Sequence, residues 1–170
     1  HPAVYYILSR DISRALPAHY GIEEPVFVSH NQICTVENCR IHTLRSTDCG
    51  VAFLVQCDGQ TIYHAGDLNL WLWPGMEKQQ SYSMMRRYME YTAPLREYQI
   101  DLAFLTLDNR QGDAAFCNID YYMRHFSVAA AVPMHYFGST EIADRFLQDP
   151  SSEPYREKIY KMEEGENLTL

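Results

Sequence analysis

The sequence contains no apolar run approaching the roughly 18–20 residues of a membrane-spanning helix. That excludes the helical membrane class, and no membrane partner is expected. The first residues, His1–Asp11, lack a basic segment followed by a long apolar one, so this segment is not expected to be a signal peptide. An initiator methionine is also missing, and a strand-like run begins almost at once, so the chain is expected to start inside a longer protein. There is no C-x-x-C pair. The five cysteines (34, 39, 49, 57 and 117) are scattered, and Cys34 and Cys39 are too far apart for a zinc knuckle. Five reduced thiols in a cytoplasmic protein are therefore expected, and the N-x-T match at Asn167–Thr169 is read as chance. Positive charge is scarce, with 14 Lys and Arg against 22 Asp and Glu, a net charge of −8. With no basic stripe to offset that balance, nucleic acid is excluded as a partner. Repeats, low-complexity segments and linkers are absent as well.

What remains is the composition of a folded domain. The chain has 170 residues, 46% of them hydrophobic and 21% charged, enough for one core and read as a single domain over 1–170. Aromatic residues make up 13% and tyrosines number 13, which predicts an aromatic-rich core and an aromatic lining for any pocket.

Val4–Ser9 reads as a strand, followed by a short helical turn ending near Tyr20-Gly21. Val26–Val28 is a short apolar run, and Cys39–Leu44 alternates like a strand. Val51–Cys57 and Thr61–Ala65 flank Asp58-Gly59, two residues suited to a tight turn, so a hairpin is predicted there. Leu68–Gly75 reads as a loop closed by Pro74-Gly75. From Gln79 to Tyr98 the period becomes helical, with Met85, Met89 and Thr92 on the apolar face. Asp101–Leu107 is a buried strand, a helix capped by Asn118 or Asp120 reaches Phe126, and Val128–Val132 is a second buried strand stopped by Pro133. Thr140 opens a helix to Leu147, and two short strands, Lys158–Met162 and Asn167–Leu170, close the chain. The order implies mixed α/β layers with helices covering a sheet.

Chemistry is concentrated where strands end. His64-Ala65-Gly66-Asp67 ends the hairpin, Asp108-Asn109-Arg110 follows one buried strand, and Pro133-Met134-His135 follows the other. In layered α/β folds such strand ends open onto the crevice where ligands bind. An Asp and a His meeting there are competent ligands for zinc or another first-row divalent ion. Taken singly, each has a plainer reading: Asp67 as a turn or cap residue, His135 as a hydrogen-bonded structural histidine.

Thr61–Asp67 (TIYHAGD), followed some 65 residues later by Val132–Gly138 (VPMHYFG), resembles the second half of the metallo-β-lactamase superfamily. It is most like bacterial hydrolases with a Trp-rich loop after the Gly-Asp pair. The resemblance implies a four-layer αββα sandwich with the metal site along the edge of its two sheets. It also implies that Asp67 is the carboxylate that bridges two metals, that His135 is the last histidine ligand, and that water activated by the metal is the nucleophile.

Two departures stand beside the match. The family's first motif, H-x-H-x-D-H, occurs nowhere, and Arg45–Gly50 (RSTDCG) replaces the segment where a middle histidine is expected. Asp48 is then a substitute ligand, a hydrogen-bond partner of one, or a turn residue. Trp71 and Trp73 either line the cleft or cover its mouth, or form a hydrophobic lid packed on the helix at Gln79–Tyr98. Arg110, beside Asp108, meets an anionic substrate group or forms a surface ion pair. His64 is expected inside the hairpin core.

The leading expectation is a metal-dependent hydrolase acting on an ester, lactone, amide or phosphoester of a small molecule. Its ion would be zinc, manganese or iron. With Asp67 and His135 as the matched ligands, the chain is expected to bind metal weakly and to be inactive as it stands. The alternatives are a non-catalytic binding or regulatory relative, and a fragment completed as a homo-oligomer through exposed sheet edges.

Overall fold

The structure, a computed structural model, describes residues 5–14, 22, 24–162 and 165–168. Six strands build the main sheet: β3 (Ile33–Val36), β4 (Cys39–Arg45), β5 (Val51–Cys57), β6 (Gln60–His64), β7 (Gln99–Thr106) and β8 (Ser127–Met134), neighbours in that order. The first four pair antiparallel, and β6, β7 and β8 run parallel. β1 (Ile7–Ser9) and β2 (Val26–Val28) form a separate parallel pair. The β5–β6 hairpin turns through Asp58-Gly59 with φ of 51° and 79°, the left-handed values that a tight turn between twisted strands requires.

Parallel strands need crossovers, and helices supply them. α1 (Lys78–Thr92) connects β6 to β7, α2 (Cys117–His125) connects β7 to β8, and α3 (Glu141–Gln148) follows β8. The core lies between these helices and one face of the sheet, where Leu54, Tyr63, Ala103 and Ala131 meet Tyr88, Ile119, Tyr122 and Phe146. Three of its tyrosine hydroxyls are bonded: those of Tyr63 and Tyr122 meet at 2.6 Å, and that of Tyr88 donates to Asn118 Oδ1 at 2.6 Å.

The other face of the sheet is covered less. Tyr5 and Ile7 share an apolar groove with Val36, Ile41, Phe53 and Val55, and Ile62 on the same face is 37% exposed.

Several expectations need correction. Thr92 is buried as expected, but its companions on the buried face of α1 are Met84 and Tyr88, whereas Met85 and Met89 are exposed. Tyr88 buries more area than a methionine and satisfies its hydroxyl on Asn118, and Thr92 returns its hydroxyl to the Tyr88 carbonyl, so polar atoms did not bar these residues from the core. α1 also ends at Thr92, with a 3-10 turn over Ala93–Glu97, because Pro94 cannot continue the α-helix.

Pro133 lies inside β8 instead of stopping it, paired with Leu105. Its nitrogen shares the outward direction of Ala131, whose carbonyl accepts from Tyr160 beyond the sheet edge, so no ladder bond is lost. Lys158–Met162 is not a strand: a 3-10 turn covers Arg156–Lys158, and Ile159 forms a single bridge to Ala131. The strand expected over Asn167–Leu170 is not formed at Asn167 and Leu168, and its last two residues lie outside the described ones. So do Val4 and the turn near Tyr20-Gly21. β3 was not anticipated at all.

The thiol reading is also corrected. Cys39 and Cys57, opposed at the ends of β4 and β5, form a disulfide, which leaves Cys34, Cys49 and Cys117 free. No helix among the described residues is long and apolar enough to cross a membrane.

Candidate metal centre

Register brings the site together. His64 lies beside Phe104 and Phe104 beside Val132, so the three parallel strands end level with one another. Asp67 follows His64 by three residues, Asp108 follows Phe104 by four, and His135 follows Val132 by three. The backbone bonds Ala65 N–H to Phe104 O (3.0 Å) and Leu107 N–H to Met134 O (2.8 Å) extend the ladder into these loops. Residues far apart in sequence therefore share one sheet edge.

His135 is held between two carboxylates. Its Nε2 lies 3.7 Å from Asp67 Oδ1, and its Nδ1 lies 3.2 Å from Asp108 Oδ2. The Nδ1 contact is close but lacks hydrogen-bond geometry, which leaves Nδ1 buried without a hydrogen bond. His135 has φ of 66°, a conformation that costs a non-glycine residue energy and that gathers at functional sites.

Asp108 is fully buried and receives three kinds of help. It accepts from the Arg110 backbone N–H (2.9 Å) and from Arg110 Nε and Nη2, the shortest contact being 2.6 Å. Burial pushes its pKa up, but the Arg110 side-chain and backbone bonds and the Arg110 charge prevail and hold it below the usual carboxylate range. Asp108 is thus an anion at neutral pH despite its depth.

Asp67 stands on a braced loop. Thr106 Oγ1 donates to the carbonyl of Gly66 at 2.9 Å, and Trp71 Nε1 donates to the carbonyl of Asp67 at 3.1 Å. Thr47 Oγ1 donates to the Asn69 carbonyl at 2.6 Å, while Asn69 and Gln111, both buried, pair at 2.8 Å. Gly66 has φ of 55°, and a Cβ there would lie 3.1 Å from the Val51 carbonyl oxygen. Gly66→Ala should therefore cost about 1–3 kcal/mol of stability, read as a shifted denaturant midpoint at unchanged slope.

The aromatic residues form a wall. Trp71 and Trp73 stack with centroids 5.4 Å apart, and Trp71 meets the His135 ring edge-on at 5.9 Å. Trp71 is buried and Trp73 is 38% exposed, so the first supports His135 and the second faces the opening.

Asp48 is exposed; its backbone N–H donates to Ser46 Oγ, and its carboxylate accepts from Cys49 Sγ, so the turn role is what the contacts describe. His64 is exposed at the sheet surface, against Phe104, and accepts from the Gly66 N–H, which corrects its placement in the hairpin core. Thr106, Asn69, Gln111 and Phe137 were not singled out from sequence. Thr106 had a usable signal, being the only polar residue within the apolar run Leu102–Leu107.

The donors fit one corner of a metal site. Two atoms bonded to one zinc ion, each at roughly 2.0–2.2 Å, can stand as far apart as Asp67 Oδ1 and His135 Nε2 do. No cluster of three His, Cys, Asp or Glu suited to a metal exists among the described residues.

No protein-family model matches the sequence, and no curated protein is significantly similar to it. Solved structures are similar in fold. A protein assigned as a metal-dependent hydrolase, from Parabacteroides distasonis, aligns with a TM-score of 0.62 at 14% identity, over 92% of this chain and 63% of that one. CmlA, a diiron β-hydroxylase from Streptomyces venezuelae, aligns with a TM-score of 0.53 at 8% identity, over 85% of this chain and 34% of that one. A protein assigned as a Zn-dependent hydrolase of the metallo-β-lactamase superfamily, from Thermotoga maritima, aligns with a TM-score of 0.46 at 14% identity, over 78% and 64%. The chain spans less than two thirds of the length of each. At these identities the likeness of the first two establishes a shared fold and nothing more, a fold of mixed α/β layers with helices covering a sheet, as the order of elements implied.

Proposed function

We propose that this metallo-β-lactamase-type fold is the distal part of a metal-dependent hydrolase, with Asp67 and His135 as two ligands of one divalent ion. The observation that carries the reading is their approach to 3.7 Å at level strand ends, with the Asp108 carboxylate behind the other ring nitrogen of His135. A carboxylate in that position faces the ring nitrogen that would not ligate and helps to orient the ring. The nitrogen and oxygen donors suit zinc, manganese or iron.

When bound, the ion would supply Lewis acidity to an ester, lactone, amide or phosphoester. The chain's own residues hold the ion (Asp67, His135), orient the histidine (Asp108) and exclude water from one side (Trp71, Trp73). A catalytic zinc takes three protein ligands, and we propose that the rest come from outside the described residues. The test is calorimetric zinc titration of the purified chain and of Asp67→Ala and His135→Ala. Weak binding that is lost in both variants is expected; variants that bind like the parent would refute the assignment.

The half-covered sheet face around Phe53 and Ile62 supports a second reading, in which another copy of the chain completes the layer. Light scattering that gives a dimer mass would favour it, and a monomer mass would count against it.

A further inference from the structure

Arg110 is held more firmly than the counter-ion of a buried carboxylate needs to be. Its Nε lies 3.0 Å and its Nη2 2.6 Å from the two oxygens of Asp108, a side-on fork, and its backbone N–H is committed to the same carboxylate. Its Cζ lies 3.6 Å from the centroid of the Phe137 ring and 5.6 Å from that of Trp73. Three sides of the guanidinium are thus fixed by groups from three different segments. The fourth is open: the side chain is 45% exposed, and Nη1 has no protein hydrogen-bond partner among the described residues. Phe137 holds its ring there at φ 53° while 63% exposed, an unfavourable arrangement in both respects for a residue that serves only packing.

We infer that Arg110 is an anion-recognition group at the mouth of the site, and that the substrate class is a small molecule bearing a carboxylate or phosphate beside an apolar or aromatic body. A guanidinium with one edge occupied by a carboxylate still offers its Nη1–Nη2 edge, and that edge matches the two oxygens of a second carboxylate or a phosphate. Because Asp108, Phe137 and Trp73 have already fixed the plane, little freedom is lost when the anion docks. Elsewhere the chain is strongly acidic, so an anionic ligand needs a local cation. Arg110 provides one that is a single carboxylate away from His135. The exposed faces of Trp73 and Phe137 offer apolar contact to the part of the molecule next to the anionic group. Placing the reacting bond at Asp67 and His135 rests on the proposed function; the anion site itself does not.

The sequence holds only two tryptophans, both in this wall, so intrinsic tryptophan fluorescence reports on this site alone. The experiment titrates the EDTA-treated chain with benzoate, with phenylphosphonate and with neutral benzyl alcohol, and repeats it with Arg110→Ala, Arg110→Lys and added zinc. Saturable quenching by one or both anions is expected without metal, with affinity about tenfold or more lower in both variants and no saturation by benzyl alcohol. The anion that binds more tightly identifies the substrate's group. Circular dichroism on Arg110→Lys, which retains a charge opposite Asp108, separates loss of recognition from loss of fold. Equal binding by Arg110→Lys, no binding by the parent, or binding that appears only with zinc would overturn the inference. A chain that binds the anions but no zinc would refute the metal reading and leave this one standing; zinc binding without anion binding would do the reverse.

Discussion

Asp108→Asn should weaken zinc binding about 10–100-fold although it removes neither proposed ligand. The carboxylate is fully buried and lies 3.2 Å from His135 Nδ1. Arg110 keeps it ionised against the pull of burial. An anion at that position favours a proton on Nδ1, which leaves Nε2, the nitrogen facing Asp67, free to bind an ion. Asparagine preserves size and an acceptor for Arg110 but removes the charge, so the tautomer preference and the ring orientation weaken together. Stability should fall as well, because the Arg110 fork loses its charged partner, though the half-exposed Arg110 limits that loss. Zinc titration and denaturant unfolding on the same variant separate the two effects. Lost stability with unchanged zinc affinity would make Asp108 a counter-ion and nothing more.

Phe146→Ala should cost about 3–5 kcal/mol, the largest stability loss expected of any single change considered. Phe146 is fully buried in α3, with Phe116 at 5.1 Å and Tyr155 at 6.3 Å between ring centroids. α3 is a helix of only 8 residues and Thr140 makes no side-chain cap, so packing of Ile142, Ala143 and Phe146 holds it in place. The segment from His135 to Thr140 hangs between β8 and this helix and contains two strained non-glycine residues, His135 and Phe137. Loosening α3 relieves the constraint that keeps them in the left-handed region. Zinc affinity should therefore drop along with the unfolding midpoint; a large stability loss with no change in zinc affinity would show that β8 alone positions His135.

The parts of the fold that were legible in the sequence are those set by short-range rules. Asp58-Gly59 between two apolar runs specified the hairpin, and the buried runs at Asp101–Leu107 and Val128–Val132 marked two of the three parallel strands. The helix face was read correctly at Thr92 but misjudged at Met85 and Met89, because the Tyr88 hydroxyl counts against burial until its partner is known, and Asn118 lies on another helix. β3 escaped notice because its alternation involves a half-buried, mostly exposed edge. Pro133 looked like a stop, and only its place on the open side of the edge strand shows why it is tolerated.

At the site, Asp67 and His135 were legible as strand-end residues with a family resemblance, but their distance is a consequence of strand register. The Asp108–Arg110 fork was visible as a neighbouring pair; its burial was not. The bracing by Thr106, Thr47, Asn69 and Gln111 depends on backbone carbonyls that no side-chain pattern announces.

The central claim is that Asp67 and His135 hold one metal ion between them, and the most direct test is a crystal of the chain grown with zinc and measured at the zinc absorption edge. The account predicts an anomalous peak roughly 2.0–2.2 Å from both Asp67 Oδ1 and His135 Nε2, with Asp108 still facing Nδ1. A peak bound elsewhere, with these two side chains unligated, would contradict it.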